Sequence, residues 1–191
     1  DVDEVHKIFV ADKKLNISAA YLKPGFAFGG SCLPKDVKAI NYFNKNNLID
    51  APILNSIMKS NEASIKRLKD LILNYAESKI GILGLTFKEN TNDCRESPII
   101  NVIDYLLLNN KKVIIYDEIL LNENYKNDIL RKNYNFASTL KDCIVENNII
   151  VVTHKNNQYV SGILQFGADK IVIDVIGIPE LKKLKNYVNF N

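Results

Sequence analysis

Lys79-Ile80-Gly81-Ile82-Leu83-Gly84-Leu85 divides this chain into two kinds of sequence. Before it, apolar residues recur every three or four positions: Val2, Val5, Ile8 and Phe9 near the start, then Ile53, Leu54, Ile57, Met58, Ile65, Leu68, Leu71 and Ile72. That spacing gathers them on one face of a helix. From Ile80 onward the apolar residues come instead in short, β-branched, nearly continuous runs: Ile80–Leu85, Val113–Tyr116, Ile149–Val152 and Ile171–Val175. Such runs suit strands buried on both faces of a parallel sheet. Helical patterns lie between them, over 98–108, 139–146 and 156–166. The alternation predicts an α/β fold, a doubly wound, Rossmann-like parallel sheet from about residue 79. A small helical part precedes it, with helices over about 2–14, 34–45 and 51–75, the last long enough to connect two bodies. The Lys182-Lys183-Leu184-Lys185 cluster reads as the solvated face of a terminal helix.

The chain has 191 residues, room for one domain or two small ones, and 47% of them are hydrophobic, enough for a real core. Its net charge of +3 is spread among residues of both signs, with no basic stripe of the kind nucleic acid requires. No stretch is long and apolar enough to span a bilayer. The acidic start, Asp1-Val2-Asp3-Glu4-Val5, lacks the charge pattern of a signal peptide. Cys32, Cys94 and Cys143 are odd in number and form no CxxC pair, so reduced thiols and a cytoplasmic setting are expected. His6 and His154 are too few and too far apart for a zinc site, and no metal is expected.

Gly29-Gly30-Ser31-Cys32-Leu33-Pro34-Lys35-Asp36 carries the most reactive chemistry. Pro34 marks a helix start. Cys32 then sits at the positive end of the helix dipole with Lys35 close by, and both favour the thiolate. Gly29 and Gly30 permit positive φ and close approach of a bulky group. This is an arrangement for covalent catalysis; a structural cysteine beside a turn is the plainer alternative. Asp36, one helical turn beyond Cys32, can activate a water as general base or simply stabilise the dipole. In the second half, the turn from Leu83 to Arg95 lies where a doubly wound sheet offers a crevice, although Gly81-x-x-Gly84 is not a GxGxxG fingerprint. Lys88 and Arg95 suit phosphate, Arg95 bidentately, unless they merely solvate a polar loop. Asp93 either orients Arg95 or caps the turn. Cys94 and Cys143 read as packing residues.

Two segments together resemble a known family. Phe28–Asp36 is similar to the active-site segment of the nucleotide-sugar 6-dehydrogenases, the UDP-glucose and GDP-mannose dehydrogenases, and Gly81–Pro98 to a stretch of their C-terminal domain. The flank Lys14–Ser18 and Tyr21–Phe28 resembles the GDP-mannose branch. The resemblance implies an NAD-dependent enzyme of polysaccharide biosynthesis that oxidises the C6 alcohol of a nucleotide sugar, GDP-mannose, to the carboxylate. It implies Cys32 as nucleophile, through a thiohemiacetal and a thioester, with Asp36 serving the hydrolytic water. Tyr21, Lys23, Phe26, Gly29 and Lys88 would contact substrate, Lys35 and Arg95 the cofactor. Residues 1–77 would be the end of a central dimerisation domain and 78–191 a nucleotide-sugar-binding domain, in a homodimer. The family's N-terminal NAD-binding domain is absent, so this C-terminal piece is expected to be inactive alone. Lys23 stands where the GDP-mannose branch has arginine, Ala20 where a second aromatic is common, and Asn92 where an aspartate is expected. The alternatives are a UDP-glucose or other UDP-sugar dehydrogenase, a non-catalytic nucleotide-binding module, and a cysteine hydrolase using His6 or His154.

Overall fold

The computed structural model describes residues 2–19, 22–121 and 133–190. Three helices come first: α1 (Val2–Phe9), α2 (Leu33–Asn46) and α3 (Pro52–Leu73). Pro34 and Pro52 both lie in first helical turns, where a missing N–H is harmless. α1 stops earlier than the expected 2–14. Beyond it the Asp12 carboxylate accepts the Lys14 amide at 2.8 Å and the Leu15 amide at 3.3 Å, which holds a turn in place of a helix.

The second part runs β1 (Lys79–Leu83), α4 (Pro98–Leu108), β2 (Lys112–Tyr116), α5 (Glu118–Leu121), β3 (Asn135–Phe136), α6 (Leu140–Val145), β4 (Ile149–Val152), α7 (Asn157–Phe166), β5 (Ile171–Asp174), a single 3₁₀ turn at Pro179–Leu181, and β6 (Tyr187–Asn189). The six strands form one parallel sheet in the order β3-β2-β1-β4-β5-β6. Strand order reverses between β1 and β4, which is the doubly wound arrangement. Gly81 pairs with Ile114 on one side and Ile150 on the other. One face of the sheet packs Ile80, Ile82, Ile115 and Val151 against Leu68, Ile72, Ile99, Val102 and Leu106 of α3 and α4. The other packs Leu83, Ile150, Val152 and Val172 against Cys143, Ile144, Val160 and Ile163 of α6 and α7. Burial on both faces is why these strands read as continuous apolar runs. The last turns of α3 are therefore built into the sheet's own core, since Leu68 and Ile72 are wholly buried there.

The expected terminal helix around Lys182–Lys185 is not formed. After the 3₁₀ turn the chain bends back and adds β6. Buried Asp174 dictates this: its carboxylate accepts the amides of Ile176, Gly177 and Ile178 and the Tyr187 hydroxyl. Four donors on one carboxylate gather residues 176–187 around the end of β5. Lys182 instead forms an ion pair with Asp3 of α1 at 2.7 Å, which ties the first helix to the end of the sheet. β3, β6 and α5 are two to four residues long and show no period in the sequence.

Candidate functional site

Cys32 occupies the N-cap position of α2 and is exposed. Its backbone is already helical, and its carbonyl accepts the Asp36 amide at 2.9 Å, closing the first turn. The side chain makes no capping bond, so the sulfur is not spent on the helix; the Ser31 hydroxyl lies 3.8 Å away. Lys35 and Asp36 project into solvent one turn along and pair at 3.6 Å.

The loop before Cys32 is held from two sides. On the α3 side, Asn61 donates to the Phe28 carbonyl at 3.0 Å and accepts the Phe28 amide at 2.9 Å, while the Ser64 hydroxyl donates to the Phe26 carbonyl. Phe26 meets Phe190 edge to face at 5.5 Å, and Arg67 covers the Phe190 ring at 4.1 Å while donating to its carbonyl at 3.2 Å. On the sheet side, the Gly30 amide donates to the Arg95 carbonyl at 3.2 Å. Gly30 holds φ +84°, and a Cβ on it would lie 2.7 Å from the Phe87 ring. A Cβ on Gly29 would lie 2.3 Å from the Glu96 carbonyl oxygen. The two glycines thus allow the neighbouring loop to approach as closely as it does. Lys38 of α2 completes the seam with an ion pair to Glu96 at 3.3 Å.

That neighbouring loop joins β1 to α4 and is itself tightly anchored. The Leu85 amide donates to Asp117 at 2.8 Å, Ser97 donates to the Leu85 carbonyl at 2.8 Å, and His154 Nε2 lies 3.0 Å from the Thr86 carbonyl. The Lys155 amide donates to Glu89 at 2.6 Å. Lys88 is exposed, its ammonium 5.4 Å over the Phe87 ring. Asp93 both orients Arg95 and caps the turn. Its carboxylate accepts Arg95 Nε at 2.9 Å and Nη2 at 2.8 Å, and also the Arg95 backbone amide at 2.9 Å. These bonds hold the Asp93 carboxyl down at about 2.

Cys94 and Cys143 are packing residues, and burial pushes both thiols up to about 12. His154 is committed to the Thr86 carbonyl. Among the described residues no histidine is hydrogen-bonded to Cys32, so the dyad of a cysteine hydrolase is not assembled. Nor do the described residues include a cluster of three or more metal-ligating side chains.

Lys23 and Phe26 line an open groove of about 650 Å³ along α3, with Phe28, Ile53, Ser60 and Asn61. Tyr21 lies outside the described residues. A second crevice of about 370 Å³ opens beyond the carboxyl ends of β1, β2 and β4, lined by Thr86, Glu89, Asp117, Glu118, His154 and Lys155 among others. The sequence did not single out Asn61, Ser64, Arg67 or Phe190 as parts of the site. Asn61 and Ser64 fall within the period of its apolar stripe and Arg67 flanks it, and only the Phe26–Phe28 backbone and Phe190 give them partners.

Residues 81–180 match the UDP-binding domain of the UDP-glucose/GDP-mannose dehydrogenase family, and residues 1–63 match that family's central domain. The chain belongs to the UDP-glucose/GDP-mannose dehydrogenase family. Within it, the GDP-mannose 6-dehydrogenase of Pseudomonas putida is 37% identical over 93% of this chain. The UDP-glucose 6-dehydrogenase of Rickettsia bellii is 35% identical over 80% of it. The crystal structure of a ternary complex of GDP-mannose dehydrogenase from Pseudomonas aeruginosa superposes on 98% of this chain with a TM-score of 0.82 and 30% identity. The chain spans 42% of the length of the Pseudomonas putida relative and 45% of the crystallised chain.

Proposed function

We propose that this chain carries the nucleophile and part of the nucleotide-sugar cleft of an NAD-dependent GDP-mannose 6-dehydrogenase. The observation behind the reading is the hydrogen bond from Gly30 to Arg95, which joins the exposed Cys32 loop to the loop bearing Lys88 and Arg95. A reactive thiol and two cations suited to phosphate thereby share one seam. GDP-mannose is preferred over a UDP-sugar on the flank of Cys32 and on the 37% identity to a GDP-mannose 6-dehydrogenase. Tyr21, Lys23, Phe26, Gly29 and Lys88 contact the nucleotide sugar, Lys88 and Lys23 through its diphosphate. The protein is a cytoplasmic homodimer serving polysaccharide synthesis. Residues 1–77 complete the dimerisation domain and 78–191 the nucleotide-sugar-binding domain.

In this reading Cys32 Sγ adds to the C6 aldehyde carbon and holds it as a thiohemiacetal, whose oxidation leaves a thioester. Water, positioned by Asp36, adds to the thioester carbonyl; the C–S bond breaks, freeing the carboxylate and returning the thiol. A bound NAD would supply the hydride acceptor for each oxidation, alcohol to aldehyde and thiohemiacetal to thioester. Lys35 and Arg95 are exposed cations beside the Cys32 loop, a donor pair that fits a dinucleotide's diphosphate. No GxGxxG occurs in the chain, so they form only part of a cofactor site.

The test uses the whole enzyme containing this chain. It should form NADH with GDP-mannose in preference to UDP-glucose, and Cys32→Ser should abolish carboxylate formation while nucleotide-sugar binding persists. The 191-residue chain alone should form no NADH. Undiminished carboxylate formation by Cys32→Ser overturns the covalent mechanism. GDP-mannose binding by the whole protein without oxidation would mark a binding module instead.

A further inference from the structure

We infer that Asp93 is a positioning residue serving both halves of the site through separable bonds: its carboxylate aims the Arg95 guanidinium, and its cap on the Arg95 amide sets the carbonyl that holds Gly30 and hence the Cys32 loop. The first half rests on the proposed role of Arg95 as a cofactor contact; the second rests on geometry alone.

The two tasks share Oδ1 and differ at Oδ2, which serves the guanidinium only. Asp93 Oδ1 accepts the Arg95 backbone amide at 2.9 Å, a bond two residues along the chain that folds the turn. The turn sets the direction of the Arg95 carbonyl, which accepts the Gly30 amide at 3.2 Å. Gly30 stands two residues before Cys32 and is fixed by its φ of +84° and the adjacent Phe87 ring. A displaced Arg95 carbonyl is therefore felt at the nucleophile. The guanidinium is gripped at two points, Nε on Oδ1 at 2.9 Å and Nη2 on Oδ2 at 2.8 Å. A two-point grip on a planar fork fixes its plane as well as its position, which a lysine side chain cannot reproduce. Asp93 is itself steadied from behind: its amide donates to the Thr91 hydroxyl at 3.2 Å, and its carbonyl accepts the Phe87 amide at 3.1 Å.

The chemistry of asparagine separates the two roles. The carboxamide of Asp93→Asn keeps an oxygen for the Arg95 amide but replaces the second acceptor by an NH₂ group, which cannot receive Nη2. Alanine removes all three bonds to Arg95. Asp93→Asn should thus reduce the two-point grip on the guanidinium to the Nε bond and spare the turn, whereas Asp93→Ala should release both.

Two measurements test this. In the 191-residue chain, amide hydrogen exchange is followed by NMR at Gly30, with the β1 and β4 amides as internal reference. Asp93→Ala should speed Gly30 exchange about fivefold to tenfold relative to those strands, and Asp93→Asn by less than about twofold. In the whole enzyme, Asp93→Asn and Arg95→Lys should each raise the KM for NAD about tenfold while kcat moves less than about threefold. A merely structural aspartate would give uniform acceleration of exchange and no split between KM and kcat. Gly30 exchange in Asp93→Ala that tracks the core strands overturns the link to the Cys32 loop. An unchanged KM for NAD in Asp93→Asn, with wild-type activity intact, overturns the aiming of Arg95. Failure of Arg95→Lys to alter that KM strikes instead at Arg95 as a cofactor contact, and the Gly30 measurement still decides the turn.

Discussion

Replacing Gly30 by alanine should damage the site by two additive routes. The backbone stands at φ +84°, where an L side chain costs about 1 kcal/mol or slightly more. The new Cβ would also lie 2.7, 2.9 and 3.0 Å from three Phe87 ring atoms, all inside ordinary contact. Forced overpacking of this kind costs about 1–3 kcal/mol, and Phe87 is only half-buried, so the ring can yield and the low end applies. Together the penalty is about 2–3 kcal/mol. For a chain of this size it lowers the thermal midpoint by roughly 5–10 °C if the loop stays docked. The loop can avoid the clash by undocking, at the expense of its hydrogen bond to Arg95. Circular dichroism melting combined with hydrogen exchange at residue 30 covers both outcomes. Gly29→Ala is the companion, since its Cβ would meet the Glu96 backbone carbonyl at 2.3 Å and backbone cannot swing aside. Gly25→Ala is the control, with nothing within 4 Å of its Cβ position, and should stay within about 0.5 kcal/mol of wild type. A Gly30→Ala protein with an unchanged midpoint and a protected residue 30 amide would refute the close-approach argument.

Three further outcomes follow from the same seam. The Asp93 carboxyl is depressed from its ordinary 3.8 to about 2, so its contribution is full above about pH 4 and is lost as pH falls toward 2. Urea unfolding of wild type and Asp93→Asn should therefore converge between about pH 5 and pH 2.5, and a pH-independent gap would count against the pairing. Iodoacetamide at about pH 8, read by mass spectrometry, should label exposed Cys32 well before Cys94 or Cys143, whose thiols are pushed up to about 12 by burial; early labelling of Cys143 would contradict the packing of α6 on the sheet. Asn61→Ala removes both bonds to the Phe28 backbone, at 2.9 and 3.0 Å, and should lower the unfolding free energy by about 1–2 kcal/mol; no measurable change would mean the loop is held by the sheet side alone.

Features that depend on near neighbours along the chain could be read directly from the residues. Val113–Tyr116 and Ile149–Val152 were legible as buried strands because burial on both faces leaves no polar alternation to hide them. α4 matches its expected span of 98–108, with proline in its first turn, and Cys32 was legible at a helix start because Pro34 marks that start. The Asp93–Arg95 pair was open to reading because it spans two residues. The family was legible from two runs of consecutive residues. The remaining features arise from contacts between distant segments. β3 and β6 exist through pairing with β2 and β5, and two or three residues carry no period of their own. The lysines at 182–185 read as helical because their context lacked Asp174, whose carboxylate folds that segment back. Glycines 29 and 30 announced conformational freedom, yet what fills the space beside them is Glu96 and Phe87, more than fifty residues away. The contacts that hold the Cys32 loop, Asn61 with Phe28 and Arg67 with Phe190, join residues 33 and 123 positions apart. No local pattern encodes such pairs, because each forms only after the sheet and α3 have packed and brought its two ends together.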